Sequence, residues 1–304
     1  MPELPEVETI VLDLKKTQPP ILGAGFVNVW TDFEKMIHLR QGFGGQVKKP
    51  FKEFKREIIG KKIENVSRRG KNILFDLSQN KILLIHQKMT GHLLLGKWQL
   101  EKEKWKSQIK GPLSDDPINR FLHLIFWLDS GQMLALSDLR KFAKVELWDR
   151  KELENSKEFR SLGPELLEKS FTLEKFKEVL KKKKKGKIKQ VLMDQTVIAG
   201  IGNIYSDEIL WQAKINPFKN VSKLNQEELE KIYKAMRKIL PKAIELGGES
   251  FSDFRRLSGE KGYFDKERKV YRREGEKCSR CGIIIKRVKM GGRSAHFCPD
   301  CQKL

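Results

Sequence analysis

The chain of 304 residues contains 62 lysines and arginines against 40 aspartates and glutamates, a formal net charge of +22 at pH 7. This balance predicts a polyanionic partner, with nucleic acid as the first candidate and an anionic membrane surface as the competitor. No stretch approaches the ~18 apolar residues of a membrane-spanning helix, so the sequence predicts no membrane insertion. The length exceeds one typical domain and predicts two main domains followed by a small module.

The first nine residues, MPELPEVET, place an acidic residue beside a potential nucleophile. Removal of Met1 would make Pro2 a free secondary amine next to Glu3. An α-amino group titrates near ~8 and lysine near ~10.4, so a terminal amine is neutral and nucleophilic far more often at pH 7. Its attack on a sugar C1′ would give an iminium ion that activates neighbouring C–H bonds. Taken alone, the stretch is more typical of an ordinary first turn of a helix, with apolar residues at helical spacing: Leu4, Val7, Ile10 and Leu14.

Strand-like runs dominate the rest of the first 150 residues. The runs are KNILFDL, KILLIHQKM, FLHLIFWLD and QMLALSDL, with turn signals at Ser78-Gln79-Asn80 and Asp129-Ser130-Gly131. This pattern predicts a β-sandwich or barrel. The basic segment from about Arg40 to Arg56 predicts a surface loop.

From about residue 164 the apolar period becomes helical, in LEKFKEVLK, IKQVLMD, IYSDEILWQA and EELEKIYKAMRKILPKAIEL. The loop AGIGN, which ends at Asn203, precedes one of these helices. Glycine-rich turns at helix starts offer backbone N–H groups to phosphate, and Asn203 is placed both to cap the helix and to donate to DNA. A plain tight turn is the alternative. The lysine run from Lys181 to Lys185, which includes Lys184, fits either DNA binding or a solvated helix end.

The four cysteines of the chain form two C-x₂-C pairs near its end, Cys278 with Cys281 and Cys298 with Cys301. Thiolates at this spacing suit a tetrahedral Zn²⁺ ion, and a redox pair is the alternative. The sequence shows no apolar signal segment, so we expect a cytoplasmic protein in which disulfides do not form. The intervening GIIIKRVKMGGRSAHF predicts a hairpin that turns at two glycines. Four protein ligands leave no open coordination position, which favours a structural zinc ion.

An ordered set of motifs resembles the bacterial formamidopyrimidine-DNA glycosylase family over nearly the whole chain. The motifs are MPELPEVET, RRGKNILFDL, HQKMTGHL, DLRKF, VLMDQTVIAGIGNIYSDEIL, KGYF and the two cysteine pairs. The resemblance implies an α+β multidomain protein. Its expected domains are an N-terminal helix with a β-sandwich (1–150), a helix–two-turn–helix DNA-binding domain (151–265) and a C-terminal β-hairpin zinc finger (266–304).

The resemblance also implies roles for single residues. Pro2 would be the nucleophile and Glu3 the acid that assists opening of the deoxyribose, with Glu6 one turn further along the helix holding a water or the sugar. Lys71 would contact phosphate near the lesion and assist β-elimination. Arg293, in the finger, would grip that phosphate and assist δ-elimination.

Further residues would contact the DNA if the resemblance holds. Asn203 would bind the same phosphate as Arg293, and Met89, Arg140 and Phe142 would enter the helix to fill the void and meet the orphaned base. His86, His123 and Lys184 are the remaining expected DNA contacts. Each has a plainer interpretation. Met89 and Phe142 lie in or beside strand-like runs and fit a core, whereas Lys71 and Arg140 fit an ordinary charged surface.

Some positions depart from the family pattern. Leu139 and Lys141 stand where the family often has proline and arginine, and Ala143 replaces a glycine. The family pattern therefore does not fix the conformation of this loop. Phe121 stands where the family commonly has a histidine, although His123 is retained.

The implied reaction is base-excision repair by a bifunctional glycosylase and lyase. It would remove 8-oxoguanine and formamidopyrimidines from damaged double-stranded DNA by β,δ-elimination, as a monomer. The endonuclease VIII branch, which prefers oxidised pyrimidines, is the runner-up; Leu4-Pro5 after Glu3 and the Arg140-x-Phe142 pair argue against it. A non-catalytic DNA- or RNA-binding zinc protein is the third alternative, and it would not need the Pro2-Glu3 start.

Overall fold

The computed structural model describes residues 1–40, 50–250 and 253–304. Their contacts divide the chain into two compact units. The first unit contains residues 1–160 and 247–263, and the second contains residues 161–246 and 264–304. The described residues include no helix with the length and hydropathy that a bilayer crossing requires.

The first unit is built around two facing sheets, as the strand-like runs predict. One sheet has the strand order β1-β9-β10-β6 and is antiparallel, and the other has the order β2-β11-β5-β4-β3, in which β2 and β11 are parallel. The strands are β1 Phe26–Thr31, β2 Ile37–Arg40, β3 Ile63–Arg69, β4 Asn72–Leu77, β5 Lys81–His86, β6 His92–Gly96, β7 Trp98–Glu101, β8 Lys104–Ser107, β9 Leu122–Leu128, β10 Met133–Ser137 and β11 Lys144–Asp149. The helices are α1 Leu4–Lys15, α2 Pro50–Ile58, α3 Pro112–Asp115, α4 Arg150–Asn155 and α5 Lys157–Arg160.

Helix α1 packs into the core that both sheets share. Val7, Ile10 and Leu14 belong to the same buried cluster as Phe126 of β9 and Phe75 of β4. The helical period in the sequence therefore marks the face of α1 that packs on the core, because these side chains are completely buried. Pro5 has no backbone N–H, but it lies in the first turn of α1, where the helix has no acceptor for that group.

The outer face of the β1-β9-β10-β6 sheet is covered as well. The small hairpin β7–β8 brings Trp105 against Trp30 and Trp127, with ring centroids 5.2 and 5.6 Å apart. This cover explains why β9 reads as a nearly continuous apolar run instead of alternating.

The second unit carries the helical half of the sequence and the cysteine module. Its helices are α6 Leu173–Lys181, α7 Ile188–Met193, α8 Asn203–Ala213 and α9 Gln226–Glu245. The predicted hairpin between the cysteine pairs forms from β12 Lys286–Met290 and β13 Arg293–Phe297. Gly291 and Gly292 turn it with φ of 52° and 75°, a left-handed conformation that glycine adopts without strain.

One local prediction is wrong in part. The part of the basic segment from residue 50 to 56 lies in helix α2 and not in a loop, and Phe54 and Ile58 of that helix are buried in the core of the first unit. The amphipathic spacing of Phe51, Phe54 and Ile58 is masked by five charged residues. Residues 41–49 of the segment lie outside the described residues.

Candidate active site and nucleic-acid interface

The N-terminal dipeptide lies at the start of α1, in the first unit. Pro2 is buried and Glu3 is 1% exposed. The Glu6 carboxylate accepts hydrogen bonds from the backbone N–H of Glu3 at 2.7 Å and from that of Glu249 at 2.8 Å. Glu6 thus fixes the chain immediately after Pro2 and ties it to a segment more than 200 residues away in sequence.

Gly248 permits this close approach. Its φ is +81°, and a Cβ there would lie 2.9 Å from Cγ of Glu6. Any larger residue would push the Glu6 carboxylate off the backbone N–H groups it accepts from. The family resemblance implies that Glu6 holds a water or the sugar. In the structure its carboxylate accepts hydrogen bonds from two backbone N–H groups.

Lys71 follows the tight turn between β3 and β4. Gly70 turns the chain with φ of 58°, and Lys71 is 8% exposed. Arg68 fastens this turn to α1, because its Nε donates to Glu8 at 2.7 Å while its Nη1 donates to the Gly70 carbonyl at 2.9 Å. The segments that carry Pro2 and Lys71 are therefore linked by a partly buried ion pair, which sequence reasoning missed.

A basic cluster surrounds His86 at the end of β5. Its Nδ1 accepts a hydrogen bond from the backbone N–H of Lys88 at 3.0 Å, so the proton of the neutral ring lies on Nε2. Burial, together with the nearby charges of Lys88, Lys71 and Lys144, lowers the pKa of His86 to about 3. At pH 7 the ring is a neutral donor among lysines, an arrangement that suits a phosphate oxygen. Lys88 and Lys144 were missed by sequence reasoning, although Lys144 lies directly opposite His86 in the β5–β11 register.

The structure separates Met89 and Phe142 from the core. Met89 is half-buried in the turn after β5, and Phe142 is 50% exposed in the loop between β10 and β11. The core interpretation is therefore wrong for Phe142. The Arg140 guanidinium lies 4.5 Å from the centroid of the Phe142 ring, so the two exposed side chains form a cation–π pair.

A fully buried carboxylate shapes this loop. Asp138 Oδ2 accepts hydrogen bonds from the backbone N–H groups of Phe142 and Ala143, both at 2.7 Å, and its Oδ1 accepts from the Thr90 hydroxyl. Arg140 N–H donates to the Thr90 hydroxyl at 3.1 Å. Asp138 thus holds the loop of Arg140 and Phe142 against the turn of Met89.

Lys141 and Ala143, which depart from the family pattern, are both accommodated in this loop. Lys141 has φ of 56°, and its Nζ lies 5.3 Å from the Phe33 ring centroid and 3.8 Å from Asp32. Ala143 is buried, and its methyl group lies close to Gly91, where a Cβ would approach it to 3.2 Å. His123, an expected DNA contact, has its Nδ1 2.8 and 3.0 Å from the two carboxylate oxygens of Asp32.

We expect Asp138→Ala to lower the free energy of unfolding by about 3 kcal/mol, because it leaves the buried N–H of Ala143, the partly buried N–H of Phe142 and the Thr90 hydroxyl without their acceptor. Urea denaturation measures the change. Asp129→Ala, at the exposed turn between β9 and β10, is the matched control. A loss within about 0.5 kcal/mol of that control would show that Asp138 does not hold the loop.

In the second unit, Asn203 occupies the first position of α8, and Gly202 is the N-cap residue. The prediction that Asn203 caps the helix is therefore wrong. Its Oδ1 is buried and has no hydrogen-bond partner among the described residues. Gly200, with φ of 103°, turns the preceding loop, and its N–H donates to Gln195 Oε1 at 2.9 Å. Lys184 is exposed in the turn after α6, where its carbonyl accepts from the Ser222 N–H at 2.9 Å.

Arg293 begins β13 and is exposed. Its strand is tied to α8 by Asp207, whose Oδ2 accepts from the backbone N–H of His296 at 3.0 Å and lies 2.9 Å from its Nδ1. Lys189 Nζ, completely buried, donates to Asp207 Oδ1 at 2.6 Å. The helix of Asn203 and the strand of Arg293 thus share one buried carboxylate. The signal in the sequence is a pair of acidic residues inside the apolar run IYSDEIL.

The four cysteines converge as the spacing predicts. Their sulfurs all lie within 4.8 Å of one another, with Cys281 and Cys298 at 3.4 Å and Cys278 and Cys301 at 4.0 Å. Zn–S bonds of about 2.3 Å in a tetrahedron place sulfurs about 3.8 Å apart, so the group fits zinc. Burial raises the pKa of the Cys278 thiol, but hydrogen bonds from the Arg280 N–H and the Trp211 indole outweigh it and bring the pKa to about 6. A thiolate, the form that binds zinc, is thereby favoured at Cys278, whereas burial and the neighbouring thiols raise the pKa of Cys298 and raise that of Cys301 to about 12.

Three family models match the chain. The formamidopyrimidine-DNA glycosylase N-terminal domain covers residues 1–145, and the formamidopyrimidine-DNA glycosylase H2TH domain covers residues 162–255. The zinc finger found in FPG and IleRS covers residues 275–304.

Curated proteins and solved structures match over full length. The chain is 38% identical to a formamidopyrimidine-DNA glycosylase of Pelotomaculum thermopropionicum and 36% identical to one of Streptococcus mutans, covering 100% of each chain in both cases. It resembles the Lactococcus lactis Fpg complex with DNA containing an abasic site, at 34% identity and a TM-score of 0.80 over 99% of this chain and 100% of that one. A complex of MutM with DNA containing carbocyclic 8-oxo-G is similar at 35% identity and a TM-score of 0.80 over 100% of both chains.

Proposed function

The chain belongs to the formamidopyrimidine-DNA glycosylase family, and on that premise we propose that Pro2 carries out its repair reaction as the nucleophile. The protein is a base-excision glycosylase for oxidised purines with lyase activity at the resulting abasic site. The observation that carries the assignment to Pro2 is its buried place before α1, where Glu6 holds the next backbone N–H. Removal of Met1 supplies the amine.

The proposed chemistry proceeds in four steps. The Pro2 nitrogen attacks C1′ of the extruded nucleotide, the C1′–N bond to the damaged base breaks, and the base leaves with a proton. Glu3 donates a proton to the ring oxygen O4′ as the deoxyribose opens. The resulting iminium withdraws electrons from C2′, whose proton is then removed as the 3′ phosphate leaves. A second elimination removes the C4′ proton, releases the 5′ phosphate and leaves a one-nucleotide gap, and water then hydrolyses the iminium and frees the Pro2 nitrogen.

Cationic side chains and neutral hydrogen-bond donors would hold the substrate for these steps. We assign Lys71 to the phosphate near the lesion and to β-elimination. Arg293 would grip that phosphate and assist δ-elimination, and Asn203 would bind the same phosphate. His86, His123 and Lys184 would contact the backbone of the duplex. Phosphate contacts of this kind fix register and make binding sensitive to salt.

Single-turnover cleavage of a duplex with one 8-oxoguanine tests this function. The expected products are the free oxidised base and two strands ending in phosphates, whereas an undamaged duplex stays intact. Cleavage of both duplexes alike would contradict it.

Arg140 and Phe142 are assigned to the space that the extruded base leaves. An arginine presents only N–H donors, which suits the acceptor edge of an unpaired cytosine better than that of adenine. We expect excision of 8-oxoguanine to be about ten- to a hundredfold faster opposite cytosine than opposite adenine, the range of ~1–3 kcal/mol per base contact.

Two substitutions separate the contributions of these residues. Arg140→Ala should reduce the difference in excision rate between 8-oxoguanine opposite cytosine and opposite adenine. Phe142→Ala should slow excision from both duplexes, because the ring that fills the space of the extruded base is lost. Single-turnover rates at one salt concentration are the measurement. Equal excision from both pairs by the unmutated protein would show that Arg140 does not distinguish the opposite base.

Damaged double-stranded DNA is the partner on this account, and zinc has a structural role. We further propose that the protein acts as a monomer in the cytoplasm, in contact with the nucleoid. The domain boundaries at residues 150 and 265 remain predictions, which limited proteolysis followed by mass spectrometry tests.

A further inference from the structure

Trp211, in the last turn of α8, contacts the zinc module within the second unit. It is 7% exposed and belongs to a buried cluster with Val270, Ile285, Cys278 and Cys298. Its indole Nε1–H donates to Cys278 Sγ at 3.4 Å, a distance suited to a sulfur acceptor. An indole N–H is a donor only, so the sulfur is its acceptor.

Arg280 holds the ring in this position from the other side. Its guanidinium carbon lies 3.9 Å from the Trp211 ring centroid, and its Nη1 donates to the Trp211 carbonyl at 3.0 Å. Arg280 lies between the two cysteines of the first pair, so the loop that supplies Cys278 also clamps the residue that donates to its sulfur.

The charge of the site explains what such a donor does. Four thiolates around one Zn²⁺ leave an excess of about two negative charges. In a buried cluster, N–H donors to sulfur stabilise that charge and hold the ligand in its orientation toward the metal. Cys278 and Cys298 are the buried ligands of the four, which leaves water least able to solvate them.

We propose that Trp211 is a positioning residue of the zinc site, which keeps the metal bound through its hydrogen bond to Cys278. The bond also joins the metal to α8, the helix that begins at Asn203. Retention of zinc therefore depends on a residue outside the matched zinc-finger segment of residues 275–304.

The first test is the rate at which the full-length zinc-loaded protein loses zinc to excess chelator, followed with a metal indicator. Trp211→Phe keeps an aromatic ring but removes the N–H, and loss of such an outer contact typically weakens metal binding 10–100-fold. We therefore expect zinc release to become about tenfold faster or more. Trp148→Phe is the matched control, because Trp148 donates its Nε1–H to Glu146 in the first unit. Release from Trp211→Phe within about twofold of that control would overturn the proposal.

The second test uses the unmutated protein and is decisive even if the variant folds poorly. Zinc is exchanged for an NMR-active cadmium isotope, and the indole N–H protons are examined for scalar coupling to the metal. The hydrogen bond predicts coupling for the Trp211 indole proton and for no other tryptophan. Its absence would show that the bond to Cys278 does not form, and the proposal would be wrong.

Discussion

Retention of Met1 should abolish the covalent step and leave DNA binding intact. With Met1 attached, the Pro2 nitrogen is part of an amide and has no nucleophilic lone pair. Met1 is 36% exposed and Pro2 is buried behind it, so the extra residue does not disturb α1. We expect excision to fall on the order of 10³-fold or more, as for other lost nucleophiles, and borohydride to trap no adduct.

A matched pair from one preparation gives the sharpest comparison. One half keeps a residue before Pro2, the other is treated with aminopeptidase, and intact mass confirms each state. Binding to a duplex with a stable abasic-site analogue should be the same in both. Normal trapping by the form that keeps Met1 would exclude Pro2 as the nucleophile.

Loss of zinc should unfold the cysteine module and weaken DNA binding. Structural zinc supplies roughly 10–16 kcal/mol to small zinc modules at pH 7, far more than a hairpin of two five-residue strands obtains from its own contacts. Cys298→Ser removes a completely buried ligand. We expect the purified variant to contain no zinc, the module to lose protection from proteolysis, and strand cleavage to fall because Arg293 is no longer held.

Ser279→Ala is the matched control, because Ser279 is exposed between Cys278 and Arg280 and supplies no ligand. It should retain zinc and activity. Thermal unfolding of the first unit should be the same in both variants. The structural role is wrong if strand cleavage survives the loss of zinc.

Local patterns were enough to predict much of this fold. The apolar stripe of α1, the runs that become β4, β5, β9 and β10, and the four helices of the second unit all follow from the period of burial. Cysteine spacing predicted the metal ligands, because the two ligands of each pair are close in sequence.

Contacts between distant segments could not be predicted from local patterns. Asp138, Arg68 and Asp207 read as ordinary charged residues, yet each is nearly or fully buried and holds a loop or strand that carries a candidate site residue. The return of residues 247–263 to the first unit has no periodic signal either. The importance of Asp138, Arg68 and Asp207 comes from their burial, and a single sequence does not show which polar residues are buried.

The prediction that Asn203 caps α8 was wrong because the backbone conformation, and not the residue preference, decides which residue is the N-cap. Asparagine is among the preferred N-cap residues, but Gly202 already adopts the extended conformation that the cap position requires. The asparagine is thereby shifted one residue into the helix, where its side-chain oxygen is buried.

Peptide mapping of the borohydride-trapped complex tests the central claim most directly. The protein is incubated with a duplex containing 8-oxoguanine opposite cytosine, reduced, digested and sequenced by mass spectrometry. The account predicts that the deoxyribose remnant is attached to the nitrogen of Pro2, in a peptide that lacks Met1. Attachment to Lys71 or to another lysine would contradict it.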